Sequence, residues 1–436
     1  MINKFLLFSL CISAVFIGLS CTEQGMDIGQ MNSTPKPNIL LVIADDMGID
    51  ATPGYDIGDE KPNMPNLEKM MNNGITFENL WAYPSCTPTR SSIITGKYGF
   101  RSGVTQVGDV LSTNEVSLQR YLDNNNSEYS HAVIGKWHLS NNASHPNEMG
   151  IAHYTGLLSG GAQSYNRWSL TENQNTQTTT EYITTKFTDL AIDWIEDQED
   201  PWFLWLAYTA PHTPFHLPPS ELHSRTDLPD DQASIDANPL PYYLAMIESL
   251  DSEIGRLLSS MTQPEKENTI VIFIGDNGTP GPTSQEYNDR RTKGSVYQGG
   301  VNVPMIISGA TVNRLGQRED ALINTTDLYS TIADIAGITD PDLNDSNSFK
   351  SLLSDTTGNK REFVYSERTN SNGGSDITIR NGTHKYILFE DGTEALYNLS
   401  INPLENPNLL NANQLPLSTT DADALNFLLE KLSEIR

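Results

Sequence analysis

Four short polar clusters stand directly after runs of β-forming residues. Asp45-Asp46 follows 39–44, Gly135-Lys136-Trp137-His138 follows 132–134, Pro211-His212 closely follows 202–208, and Asp276-Asn277-Gly278 follows 270–275. In open α/β sheets ligands bind outside the carboxyl ends of the strands, so four clusters with one placement predict one crevice. Asp45, Asp46, Asp276 and Asn277 offer only oxygen, three carboxylates and one amide. That is the ligand set of a hard cation, Ca²⁺ or Mg²⁺, rather than of zinc or copper. Asp-Asp and Asp-Asn-Gly also end strands as ordinary turns, and for either pair alone that reading wins. Two such pairs at strand ends, beside other site candidates, favour the cation.

The segment Cys86-Thr87-Pro88-Thr89-Arg90 adds a candidate nucleophile. Pro88 fits the first turn of a helix, which puts Cys86 at or just before its N-terminus. Free backbone N–H groups and the helix dipole there are expected to depress the thiol pKa, and Arg90 adds a fixed positive charge one turn on. A structural cysteine would sit in an apolar run; Ser85 and Thr87 flank this one. Of the eight histidines, His131, His145, His223 and His384 read as surface or satisfied core residues. His153 and His216 are candidate substrate contacts, because they lie near the motifs.

The elements that must position these groups alternate short β-rich runs with amphipathic helices over 181–197, 242–261 and 327–336. This pattern predicts an α/β fold, a large mostly parallel sheet sandwiched by helices. From about residue 346 the texture changes to short strands at 362–367, 376–380, 386–390 and 395–399, separated by Asn-Gly and Asp-Gly turns. A smaller C-terminal antiparallel sheet, closed by a helix over 421–435, is expected there. The catalytic domain is thus bounded at 37–345 and the small subdomain at 346–436. The polar stretch 171–180 reads as a surface loop.

The chain has 436 residues, and Lys+Arg 27 against Asp+Glu 55 gives −28. Such an acidic chain is not expected to grip nucleic acid or an anionic membrane over a broad face; an anionic substrate needs a local positive site. Three cysteines, Cys11, Cys21 and Cys86, are too few for a disulfide framework or a cysteine zinc site. Residues 1–20 read as a signal peptide, with an apolar run too short to span a bilayer. Cys21 after Gly18-Leu19-Ser20 resembles a lipoprotein cleavage site, with lipidation of Cys21 and ordinary signal cleavage as the alternative. Residues 21–36 read as a linker. The expected location is the periplasm or outer membrane, with an extracellular enzyme as the alternative and membrane contact only through the lipid anchor.

Cys-x-Pro-x-Arg followed by Thr95-Gly96-Lys97 resembles the signature of the formylglycine-dependent sulfatases of the alkaline phosphatase superfamily. The resemblance extends to Asn38–Asp46, Gly135-Lys-Trp-His-Leu139, Ala210-Pro-His-Thr-Pro214, Phe273–Gly278, the run from Lys293 to Pro304, and Leu396–Glu405. It implies that Cys86 is oxidised to formylglycine by a maturation enzyme and that its aldehyde hydrate is the nucleophile. It implies Ca²⁺, with Mg²⁺ as the alternative, held by Asp45, Asp46, Asp276, Asn277 and the modified Cys86. Arg90 and Lys136 would hold the hydrate and the sulfate oxygens, His212 and Lys293 would protonate the leaving oxygen, and His138 would take the proton that restores the aldehyde.

Gln298 stands where the family usually has Glu, Asn302 where Arg is common, and Gly150-Ile-Ala-His153 replaces Gly-Phe-Asp. These departures concern the substrate pocket more than the chemistry. A phosphonate or phosphate-ester hydrolase shares the Cys86 motif, but Lys136 and Lys293 where a second metal would sit favour sulfate. An inactive glycan-binding lipoprotein would be expected to lose Arg90, Lys136 or an Asp ligand, and all are present. The expected substrate is a sulfated carbohydrate, with algal glycans such as ulvan or carrageenan as candidates and 154–168 supplying a sugar subsite.

Overall fold

A computed structural model describes residues 36–338, 343–358 and 360–436. The signal segment, Cys21 and all but the end of the linker lie outside the described residues. Among the described residues no helix is long and apolar enough to cross a membrane.

The main sheet has eleven strands: β1 (Asn38–Ala44), β2 (Gly74–Trp81), β3 (Ser130–Lys136), β4 (His153–Leu157), β5 (Trp168–Glu172), β6 (Asn175–Thr179), β7 (Trp202–Ala207), β8 (Thr269–Gly275), β9 (Asn302–Gly309), β10 (Gln317–Glu319) and β11 (Ile323–Asn324). The order is β10-β2-β9-β8-β1-β7-β3-β4-β5-β6, with β11 beside β2. The five strands from β8 to β4 are mutually parallel, and the antiparallel pairs lie towards the edges. A sheet covered on both faces needs apolar residues at every position, and β1, β7 and β8 are buried throughout.

Alternation divides β1 between two cores. Ile39, Leu41 and Ile43 pack on one face with Ile93 and Ile94 of the helix Cys86–Thr95 and Leu328 and Ile332 of the helix Asp327–Ile335. Leu40, Val42 and Ala44 pack on the other with Phe187 of Ile183–Glu196 and Leu250 and Ile254 of Leu240–Ser260. Slipping β1 by one residue would exchange the two sets, so the register is fixed by both cores at once.

β12 (Val364–Thr369), β13 (Ser375–Arg380), β14 (His384–Leu388) and β15 (Glu394–Asn398) form an antiparallel meander, with the helix Thr419–Ile435 against β13 and β14. The stretch 171–180, expected as a loop, is instead largely the β5–β6 hairpin. Its Asn173-Gln174 turn has positive φ at both residues (42° and 77°), which matches the twist of a two-residue hairpin. β-Branched threonines pair across an exposed edge there, so polarity misled the reading.

Candidate active site

The four strand-end clusters come together at the carboxyl edge of β8, β1, β7 and β3, which are consecutive in the sheet. Asp45 and Asp276 directly follow β1 and β8, Lys136 is the last residue of β3, and His212 lies a few residues beyond β7. The chain turns sharply at two of these ends. Asp46 and His138 have φ of 71° and 54°, a left-handed conformation costing non-glycine residues about 1–3 kcal/mol. Gly135 (φ 106°) precedes Lys136; a Cβ there would lie 2.0 Å from the Ala207 carbonyl oxygen, so only glycine lets β3 and β7 approach.

Cys86 opens the helix Cys86–Thr95, and Arg90 sits one turn further on with no exposed surface. Arg90 directs Nε and Nη2 to Asp276 Oδ2 (3.2 and 2.9 Å) and Nη1 to the Lys136 carbonyl (2.7 Å). These donors therefore clamp β8 and β3 to the helix. Lys136 Nζ is 2.5 Å from Asp45 Oδ2, and Lys293 Nζ is 2.5 Å from Asp46 Oδ2. His138 Nδ1 lies 3.1 Å from Cys86 Sγ, with Thr87 Oγ1 also against the ring. His212 Nδ1 donates to the Thr213 carbonyl (2.8 Å), which leaves the Nε2 lone pair 3.8 Å from Asp46 Oδ2.

The donor set fits a hard cation. Asp45, Cys86 and Asp276 can each place one ligand atom within 4.8 Å of the others, as can Asp45, Asp46 and His212. Asn277 Nδ2 donates to Asp46 Oδ1 (2.8 Å) and the Gly278 carbonyl (3.1 Å), which fixes the amide orientation. Asp45 Oδ1 and Asn277 Oδ1 are buried with no hydrogen-bond partner. Each such orphan costs about 1–3 kcal/mol, a cost that a cation ligated by these oxygens removes. The carboxylates of Asp45, Asp46 and Asp276 balance the charges of Arg90, Lys136 and Lys293. A divalent cation would make the crevice net positive and suited to an anion.

Titration follows from this crowding. Burial raises Asp46, but Lys293, His212 and Lys136 beside it prevail and hold its carboxyl well below the usual range. Burial and Asp45 push Asp276 up to about 6 against Arg90 and Lys136. Burial pulls His138 down to about 2 and His212 down to about 4, with the lysines adding to both. Contrary to the expectation from the helix N-terminus, burial followed by the Asp45 and Asp276 charges pushes Cys86 up to about 11, although Lys136 opposes them. The unmodified thiol is therefore a poor nucleophile at neutral pH.

Two expected substrate contacts do not join this cluster. β4 runs parallel to β3 with Ala132 opposite His153 and Lys136 opposite Leu157, so His153 sits at the amino end of the strand, away from the crevice. His216 has both ring nitrogens engaged, by Tyr182 Oη and the Pro214 carbonyl, and packs at a tilt against the Tyr165 ring. Tyr165 in turn donates to the carbonyls of Thr209 and His212, so His216 stands behind the loop that carries His212. Tyr154, Tyr165 and Trp168 are core residues rather than an exposed sugar platform.

The same segment supplies a feature that the sequence reading missed. A Cβ on Gly160 would lie 2.4 Å from His138 Nε2, and one on Gly161 would lie 3.0 Å from His212 Cε1. The Gly-Gly pair thus packs against both histidines, and its position just after β4 was the available signal. Tyr243 is a second omission: its hydroxyl donates to the Asp46 carbonyl (2.8 Å) and supports the turned backbone.

Residues 37–338 match the protein family described as Sulfatase. Arylsulfatase G of Rattus norvegicus is 27% identical over 395 residues, covering 76% of this chain and 71% of that protein. The ulvan-active sulfatase of Formosa agariphila is 25% identical over 449 residues, covering 96% of this chain and 86% of that protein. Among solved structures, Ps i-CgsB has a TM-score of 0.77 at 24% identity, over 92% of this chain and 93% of that one. Ps i-CgsB has also been solved in complex with k-i-k-neocarrahexaose. BT4656, solved with its substrate D-glucosamine-2-N,6-O-disulfate, has a TM-score of 0.76 at 20% identity, over 92% and 98%.

Proposed function

The chain belongs to the sulfatase family and is a sulfuric ester hydrolase, and from that premise we propose that it releases sulfate from sulfated algal oligo- or polysaccharides at the Cys86 crevice. The observation that carries the assignment of the site is the pair of orphaned oxygens, Asp45 Oδ1 and Asn277 Oδ1, among the buried charges beside Cys86. The ulvan-active relative and the carrageenan-oligosaccharide complex support the substrate class.

Asp45, Asp46, Asp276 and Asn277 would hold the divalent cation, Ca²⁺ in preference to Mg²⁺. When present, the cation supplies positive charge to the sulfate oxygens, and a formylglycine made from Cys86 supplies a hydrated aldehyde as nucleophile. Lys136 and Lys293 bring two ammonium charges to the crevice and bind the sulfate monoanion. Arg90 orients Asp276 and the Lys136 backbone. His138, held neutral, is placed at the residue-86 side chain to accept a proton there. Lys293 is held strongly protonated by Asp46 despite its burial, and it can give a proton to the departing sugar oxygen. His212 offers its Nε2 lone pair on the same side and shares that role once protonated. We further propose that the protein is exported and anchored as a lipoprotein through Cys21.

The test is sulfate release from a panel of ulvan, carrageenan and glycosaminoglycan oligosaccharides and an aryl sulfate, after co-expression with a formylglycine-generating enzyme. Release from an algal oligosaccharide by wild type and not by Cys86→Ala is the expected result. Turnover of the aryl sulfate alone would overturn the carbohydrate reading.

A further inference from the structure

Beside the crevice lies a cleft of ≈ 580 Å³ whose lining includes Ser85, Lys293, and Arg368 and Thr369 on β12. We propose that this cleft holds a second anionic group, a sulfate or a carboxylate, on the sugar that carries the scissile ester. The inference rests on the sulfatase reading above and concerns what the leaving group must look like.

Arg290, Arg368 and Lys293 line the cleft, against a single acidic residue, Asp289. In a chain with 27 basic and 55 acidic residues, such a local excess of positive charge runs against the overall composition. Lys293 is committed to Asp46. Among the described residues, Arg290 and Arg368 form no ion pair, so no carboxylate neutralises the two guanidinium charges that line the cleft. Arg368 is anchored by one hydrogen bond, from Nη1 to the Gly294 carbonyl, next to Lys293. Its remaining guanidinium edge is thereby fixed close to the catalytic lysine. Asp109 is turned to the amides of Thr105 and Gln106 (2.8 and 3.0 Å) and so does not pair with these arginines.

A guanidinium presents its donors as a planar fork that fits a sulfate or a carboxylate in two-point contact. Val107, which also lines the cleft and is 56% exposed, offers an apolar surface for the C–H face of a sugar ring. The volume suits a small ligand of one or two rings. A neutral sugar would leave both arginines hydrated, so the cleft selects for the second charge without requiring it.

The test uses fully formylglycine-converted protein and three synthetic disaccharides that share one sulfate ester. Their neighbouring substituent is a hydroxyl, a second sulfate or a uronate carboxylate. The expected kcat/KM is higher by about tenfold or more for a charged arm, as a charge-assisted contact implies, through KM and with a preference that shrinks as salt rises. The better of the two charged arms names the group. Arg290→Gln and Arg368→Gln should each lower the charged-to-neutral ratio. Should Arg368→Gln fail to fold for want of its Gly294 contact, Arg290→Gln decides. Equal kcat/KM on all three arms, or a ratio that survives these substitutions, overturns the inference while leaving the sulfatase reading intact. If no arm releases sulfate, that reading fails instead. Calorimetric binding of the same three disaccharides then tests the cleft separately, and equal affinities overturn it.

Discussion

The molecule buries charge in two places, and they are built differently. At the carboxyl edge of the large sheet, three carboxylates and three cations crowd around Cys86, two acceptor oxygens have no donor, and the backbone at Asp46 and His138 is left-handed. In the small sheet, Lys385 of β14 and Glu405 are both fully buried with Nζ and Oε1 2.7 Å apart, in a contact too poorly angled to be a hydrogen bond. Lys385 also lies 4.9 Å from the Trp81 ring centroid, and Glu405 accepts the Gln298 amide. The small-sheet pair offers no carboxylate cluster to a cation and joins two parts of the fold. A buried ion pair alone is therefore a weak sign of function. Glu405 too has a buried oxygen without a hydrogen bond and a left-handed backbone (φ 60°), so what distinguishes the proposed catalytic place is the convergence of several carboxylates and the Asn277 amide oxygen beside Cys86 and a cleft.

Substitutions should separate the two regions. The largest effect is expected from Cys86→Ala or from stripping divalent cations, either of which should reduce sulfate release to background; Lys385→Met should retain turnover per folded molecule. Next, His138→Ala should lower kcat by roughly 10²- to 10⁴-fold, the usual worth of a placed proton acceptor, in steady-state assays on the best oligosaccharide. Lys385→Met should instead act on stability. Removing one partner of a buried pair costs about 3–5 kcal/mol, readable by denaturant unfolding.

Cation binding gives a smaller contrast. Ca²⁺ at about a hundredfold excess over its Kd should stabilise wild type by roughly 3 kcal/mol. Asn277→Leu should lose most of that gain, and Lys385→Met should keep it. A contrast of similar size lies in pH. Burial holds the Lys385 ammonium down to about 8 from its usual 10.5, with Glu405 opposing. Between these values the unfolded chain holds the proton that the fold has released, so stability rises with pH by up to about 1.4 kcal/mol per unit. This contribution is complete above the unfolded value and is lost as pH falls through about 8. Unfolding measured across that window should therefore show wild type gaining on Lys385→Met as pH rises.

Much of the site was legible because a polar pair directly after an apolar β-run can only emerge at a strand end. Asp45, Lys136 and Asp276 were placed by that logic alone. The parallel core was legible for the same reason, since strands buried on both faces read as continuous apolar runs. What failed depended on contacts remote in sequence. β9 was obscured by Pro304, which sits opposite the irregularity between Phe77 and Leu80 where β2 offers no regular partner to an amide. The direction of β4 decides that Leu157 rather than His153 reaches the crevice. The sign of the Cys86 shift depends on Asp45 and Asp276, which arrive from two other strands. Arg90 looked free to hold substrate, yet its donors are directed to Asp276 and the Lys136 carbonyl.

The most direct test of the central claim is cation add-back on a preparation shown by mass spectrometry to carry the aldehyde at residue 86. Sulfate release from an oligosaccharide would be followed after chelation and then during titration with Ca²⁺ or Mg²⁺, for wild type and Asn277→Leu. The account predicts activity lost on chelation and restored by Ca²⁺ in wild type, with restoration in Asn277→Leu weakened or absent. Full activity in the chelated, aldehyde-bearing protein, or equal restoration in Asn277→Leu, would contradict it.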